Sequence, residues 1–479
     1  MTANHNFQPT KAIAEIRSHL NHPVIDGDGH HIEYMPYVRD LLAEDAGKNL
    51  TEKFDQLMRG SAMFRQVPLE ARRAAGVTRT AWWGLPTRNT LDRATALLPA
   101  LLYDRLEELG IDYALLYPTY GLTVTAHPDD ELRTAMARAF NRYSAEVFAG
   151  LRDRLEPVAA IPMTTPEEAL AELDHAVTEL GLKAVMMAGI VPRPVPGTDN
   201  SRAARYVDTV GHDSLYDYSP VWKKCEELKV SPTFHAGSQG LGMRVSRSNY
   251  VYNHVGNFAV AGEAAARSLF FGGVPFRHKS LRFAFLEGGV AWGANLLADI
   301  IGHYEKRNKA DIEHYNPANL NRPQMTELIG EFGTAEVVKH LNQLDDALIM
   351  LSDPEEPTEG RDEFGESGVA SVQDILDIFT KQYFFGCEAD DPMNAVGLAS
   401  SLVPGGKPLG AIFASDIGHW DVPDMTGVLP EAYELLEDGH LTEAQFKDFT
   451  FTNAVRLWAG TNSDFFSNTS VESQAKAVI

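Results

Sequence analysis

The chain has 479 residues, 44% of them hydrophobic, enough to bury one large α/β core with insertions or two separate domains. Its 66 acidic residues outweigh 42 lysines and arginines, and a formal net charge of -24 argues against nucleic acid or an anionic membrane surface as a partner. Two cysteines, Cys225 and Cys387, make neither a disulfide framework nor a ligand spacing. No run reaches the roughly 18 apolar residues of a membrane span, and the N-terminus lacks a charged start leading into an apolar stretch. A well-solvated cytoplasmic enzyme acting on a small molecule is expected.

Along the chain, short apolar runs alternate with segments of helical period, the pattern of parallel strands joined by crossover helices. The first run is PVIDGD at 23–28 and the second IDYALLYPTY at 111–120, entered from a helix closed by Gly110. The third, LEPVAAIPM at 155–163, leads into TTPEEALAELDHAVTELG, with a threonine cap, Pro166 in the first turn and a terminal glycine. LKAVMMAGIV at 182–191 is the fourth and VSPTFHAG the fifth. LRFAFLEGGV at 281–290, the sixth, precedes the helical WGANLLADIIGHYEKR. KQYFFGCE is a weaker seventh, and LGAIFASDIGHWD at 409–421 the eighth. Eight strand–helix pairs predict a closed (β/α)8 barrel; an open doubly wound sheet usually has fewer strands and a glycine-rich first turn.

The barrel is expected to span 22–460, after an N-terminal extension (1–21) and before a C-terminal tail (461–479). Three stretches interrupt the repeat. Residues about 34–100 and about 192–217 follow strands, read as loops with aromatics, and are expected to roof the catalytic face. Residues about 308–370 end in an acidic loop and are expected at the opposite end or in an oligomer contact.

Ionisable residues gather at the C-terminal ends of the strands, where this architecture places its chemistry. They are Asp26, Asp28, His30 and His31 on the first, His235 on the fifth, Glu287 on the sixth and Asp416 on the eighth. Alternation puts Asp28 and His30 on one face and turns His31 away. Asp28, His30, His235 and Asp416 meet the ligand count of a divalent-metal site with room for water or substrate. Imidazole and carboxylate together suit zinc first, with iron or manganese as alternatives. Asp26 is expected to support the ligands, and Glu33 is a reserve ligand for a second ion.

In that order, DGDGH, FHAG, FLEGGVAW and FASDIGHWD resemble amidohydrolase family 2, the branch that includes aminocarboxymuconate-semialdehyde decarboxylase, over residues about 22–460. The resemblance implies a TIM-type barrel in which Asp28, His30, His235 and Asp416 are the metal ligands, and it implies a homodimer. It departs at the sixth strand, where the family often has histidine and this chain has Glu287, able to bind a cation or act as a general base. His254 is a candidate second-metal ligand or proton donor. His419 is a candidate substrate contact, and Trp82 and Trp83 candidate pocket walls. Arg267, Arg277 and Arg282 are candidates for a carboxylate clamp, Arg282 being more easily read as structural.

Three activities follow from these residues and that resemblance. The leading one is metal-dependent hydrolysis of an amide, ester or lactone, with Asp416 moving the proton and Glu287 or His254 assisting. The alternatives are non-oxidative decarboxylation of an aromatic or unsaturated acid, and a diiron monooxygenase on the same barrel. One or two ions per chain are compatible with the ligand types.

Overall fold

A computed structural model describes residues 7–64, 67–79, 84, 86–198, 204–235, 237, 242–349 and 362–479. Each of the eight apolar runs contains a strand: β1 (Ile25–His31), β2 (Tyr113–Pro118), β3 (Leu155–Ile161), β4 (Ala184–Met187), β7 (Pro232–Phe234), β8 (Phe283–Phe285), β9 (Tyr383–Glu388) and β10 (Gly410–Ala414). They pair in parallel in that order. The last strand returns to the first through two hydrogen bonds, Asp416 N to Asp28 O and His30 N to Ile417 O, both 3.1 Å. The architecture is a (β/α)8 barrel.

Alternation builds two cores from the same strands. Ile25, Leu115, Val158, Ala160, Met186, Ala284, Phe384 and Ile412 share one cluster with Trp458, Phe465, Phe466 and Val471 from the C-terminal end of the chain. Leu116, Ile161, Val185, Phe285 and Phe413 belong to the other, against the surrounding helices. Strands covered on both faces carry nearly continuous apolar runs. β1 is the exception: IDGDGHH is buried at all seven positions. Burying that much polarity is costly unless the groups find partners.

The capped helix after the third run forms as its sequence signals. Thr165 accepts from Glu168 N and Pro166 occupies the first turn of Pro166–Leu173, which passes into a wider π-type turn over Asp174–Glu179. At the N-terminus, the helix Lys11–His19 buries Ile13 and Ile16.

The insertions are more structured than loops. After β1 the chain forms helices Met35–Phe64, bent at Gly47, then Leu69–Ala75 and Thr90–Leu97. Val38, Leu41, Leu42 and Phe54 pack on Met136, Phe140 and Tyr143 of the helix Asp130–Val147, so the first helix clasps the barrel's flank. The helix Thr90–Leu97 reaches the mouth, where Ile32 N donates to Ala96 O at 2.7 Å. The insertion at 192–217 contains an antiparallel hairpin, β5 (Val191–Pro194) with β6 (Arg205–Asp208). It is pinned by Arg193, which donates to Asp208 Oδ2 at 2.5 Å and to the Tyr218 hydroxyl at 3.0 Å. The third insertion forms Arg322–Phe332, Ala335–Val338 and Leu344–Leu348, none with a buried residue. No helix of the described residues is long and apolar enough to cross a membrane.

Candidate metal centre

β1 brings the first polar groups to the mouth, and its glycines let it do so. A Cβ on Gly27 would lie 2.4 Å from Ile412 Cγ2, and one on Gly29 2.5 Å from Asp26 Oδ2. Only glycine permits that approach of β1 to β10. Asp26 ties the strands together behind the site, its oxygens accepting from Ser415 N at 3.0 Å, Asp28 N at 3.2 Å and Ser415 Oγ at 2.5 Å.

His31 faces away from the mouth, packed edge-on against Phe148 and stacked near Tyr143, and burial pushes its pKa down to about 3. The reserve assignment of Glu33 to a second ion is not what the geometry shows. Both its oxygens are taken by backbone donors, Tyr120 N at 3.0 Å and Gly121 N at 2.9 Å, so it braces the turn after β2. Burial raises its pKa to about 7.

At the barrel axis, His30 Nε2 and His235 Nε2 stand 3.1 Å apart. Asp28 Oδ1 is 3.6 Å from the first and 3.3 Å from the second. Asp416 Oδ1 lies 3.4 Å from His30 Nε2, and Glu287 Oε2 3.2 Å from His235 Nε2. His419 stacks on the His30 ring at 3.6 Å between centroids and sets Nδ1 2.5 Å from Asp416 Oδ1, while its Nε2 meets Thr119 Oγ1 at 3.2 Å. Donor atoms of Asp28, His30 and His235 lie within 4.8 Å of one another, and so do those of His30, Glu287, Asp416 and His419. Four strand ends thus deliver their groups to one point.

Glu287 and Asp416 each follow their strand with a left-handed backbone, φ 57° and 49°. That conformation costs a non-glycine residue of the order of 1–3 kcal/mol, and such positions cluster at functional sites.

The centre is buried, and its chemistry follows from that. Burial holds Glu287 and Asp416 well above the usual carboxylate range, and their acidic neighbours push the same way: Glu388, Asp28 and Asp421 for the first, Glu287, Asp421 and Glu388 for the second. Burial likewise holds His30 and His419 well below the usual imidazole range. Neutral imidazoles are the ligating form, and crowded carboxylates are stabilised as anions by a cation. Asp28 Oδ1, both oxygens of Glu287 and Asp416 Oδ2 are enclosed with no hydrogen-bond donor among the described residues. Two imidazole nitrogens and these oxygens fit a divalent cation.

Two residues of these groups were missed by the sequence reading, Glu388 and Asp421. Glu388, the last residue of β9, groups with Asp416 and Asp421, with one oxygen of each inside a 4.8 Å span. The run KQYFFGCE did end in a carboxylate, and that strand-end position was the available signal. His254 ends the short helix Tyr250–His254 and meets Trp420 and Phe258 edge-on at 5.2 and 6.1 Å, walling the mouth rather than joining the ligand clusters. Burial lowers its pKa.

Trp82 and Trp83 lie outside the described residues. Two of the three nominated arginines are engaged elsewhere: Arg267 pairs with Glu263 on its own helix, and Arg282 donates to the carbonyls of Lys279 and Leu281 at the start of β8, the end away from the mouth. Arg277 ends the short helix Val274–Arg277 that precedes the same strand start.

A family model described as amidohydrolase matches residues 81–312. The match covers just under half of the chain. The matched stretch carries His235 and Glu287, while Asp28, His30 and Asp416 join them through the closure of the barrel. Among solved structures, the amidohydrolase map2389c from Mycobacterium avium subsp. paratuberculosis K-10 aligns over 92% of this chain and 98% of its own at 18% identity, with a TM-score of 0.52. A 2,6-dihydroxybenzoate decarboxylase in complex with 2,6-dihydroxybenzoate aligns over 91% and 98% at 15% identity, TM-score 0.47. The gamma-resorcylate decarboxylase of Rhodococcus jostii (strain RHA1) is 32% identical over 160 residues, 30% of this chain and 46% of that protein. The chain therefore spans less than half the length of this curated relative.

Proposed function

We propose that this amidohydrolase barrel is a metal-dependent hydrolase of a small organic amide, ester or lactone. The observation that carries the reading is Asp416: an enclosed carboxylate with Oδ1 against His30 and His419 and with Oδ2 lacking any donor. A divalent cation held by Asp28, His30, His235 and Asp416 supplies Lewis acidity, which polarises a carbonyl and makes water easier to deprotonate. Asp416 Oδ2, enclosed and without a donor, takes the proton. His419, fixed by Thr119 and stacked on His30, holds Asp416 in place. Glu287 receives or returns a second proton, and His254 with Trp420 excludes water from one side.

A second reading, loss of carbon dioxide from an aromatic acid, is favoured by the gamma-resorcylate decarboxylase match. It calls for a cationic clamp on the substrate carboxylate, and the mouth instead gathers Asp28, Glu287, Glu388, Asp416 and Asp421. The test is a panel of esters, lactones and amides beside gamma-resorcylate, assayed with manganese- or zinc-loaded protein. Hydrolysis is expected, falling roughly 100- to 10,000-fold in Asp416→Asn. Carbon dioxide release from gamma-resorcylate with no hydrolysis, or full hydrolysis by Asp416→Asn, overturns the reading.

A further inference from the structure

The third insertion is helical but has no core of its own. Its helix Arg322–Phe332 starts on a firm cap, with Asn321 accepting from Gln324 N at 3.0 Å and Pro323 in the first turn. It nevertheless buries no residue, and neither do Ala335–Val338 and Leu344–Leu348 after it. An uncovered helix of 11 residues is marginal in water. Met325, Leu328, Ile329 and Phe332 line one face at i, i+3, i+4 and i+7, the stripe by which a helix packs. Leu328 is 44% and Phe332 75% exposed, and Val337 and Ile349 on the returning limb are 50% and 57% exposed. Arg322 pairs with Asp345, which ties the two limbs into one hairpin.

The stripe itself selects its cover. Its spacing reads the same in both directions, so an antiparallel second copy lays Met325 against the partner's Phe332 and Leu328 against the partner's Ile329. No polar residue falls in that seam. Glu327 and Glu331 project from other faces at roughly 100° per residue, so like charges do not meet. A Cβ on Gly330, beside the stripe, would meet nothing within 4 Å, which leaves the flank open to a close approach. A two-fold axis closes such a contact, because the same patch serves on both sides. We infer that this hairpin is a dimer interface, in which Arg322–Phe332 packs antiparallel on the same helix of a second copy. The apolar residues of the returning limb extend the contact. Standard interfaces take roughly 20–30 residues a side, and the hairpin from 322 to 349 is of that size.

Analytical ultracentrifugation of the full-length protein at micromolar concentration is expected to give twice the chain mass. Leu328→Glu and Phe332→Glu, both at exposed positions, are expected to halve it while a cooperative thermal transition is retained. The register is tested separately, in chains that keep the rest of the stripe. The double variant Met325→Cys/Phe332→Cys is expected to form a disulfide-linked dimer in oxidised glutathione, and Gln324→Cys, off the stripe, is not. The native cysteines, Cys225 and Cys387, are buried and do not interfere. A monomeric wild type, or a dimer that survives both glutamate variants, overturns the inference. So does a stripe pair that forms no disulfide, or one that links no better than Gln324→Cys.

Discussion

Asp28, His30, His235 and Asp416 meet because each closes or follows a strand that ends at the same mouth. Those four positions were legible in the sequence, since a polar residue ending an apolar run is visible without coordinates. Asp26 was legible as a supporting residue for the same reason. Glu388 was hidden by the weakness of its strand signal, and Asp421 by lying five residues past Asp416, the carboxylate it groups with. Glu33 was misleading because a buried carboxylate near ligands looks alike whether a cation or two backbone amides satisfy it. Away from the centre, Glu172 offers a cleaner electrostatic prediction. Buried on Pro166–Leu173 and bonded to Asn141 Nδ2 at 2.7 Å, it has its pKa raised by burial to about 8. A raised folded-state pKa means the folded chain binds more protons than the unfolded one. The contribution is therefore full below the unfolded value of about 4.3 and lost as pH rises through about 8. Glu172→Gln removes that loss. Its Tm advantage over the wild type is expected to grow by a degree or two, on the order of magnitude for a chain of this size, between pH 5 and pH 8.5 in calorimetry. A difference independent of pH contradicts the shift.

At the scale of elements, the eight barrel strands were readable because parallel strands covered on both faces leave uninterrupted apolar runs. The insertions were not. The helix Met35–Phe64 carries its apolar face against Asp130–Val147, a partner distant in sequence, and the hairpin β5–β6 depends on Arg193 meeting Asp208. Local pattern gives no warning of such tertiary partners. β1 shows the opposite case, a strand whose composition reads as a turn. Gly27 and Gly29 make it a strand by admitting β10 and the Asp26 carboxylate. Gly27→Ala drives a methyl group into Ile412 Cγ2 and toward Phe413 O. An overpacking cost of about 1–3 kcal/mol is expected in urea denaturation, together with weakened metal binding as Asp28 and His30 shift. Unchanged stability and metal affinity in that variant would show that the β1–β10 seam does not position the ligands.

For the whole molecule, one (β/α)8 barrel presents a histidine-lined floor and an acidic rim at the same mouth. The opposite end is closed by Phe465, Phe466 and Val471 against Tyr113 and Trp458. The helices at 322–348 stand apart from this core, with Phe332 75% exposed, and contribute nothing to the site. The proposed activity depends on whether the floor holds a cation. The most direct measurement is an anomalous difference map from crystals grown with manganese, collected where manganese scatters anomalously. The account predicts a strong peak enclosed by His30 Nε2, His235 Nε2, Asp28 and Asp416. A map with no peak there, in crystals whose manganese is bound elsewhere or not at all, would contradict it.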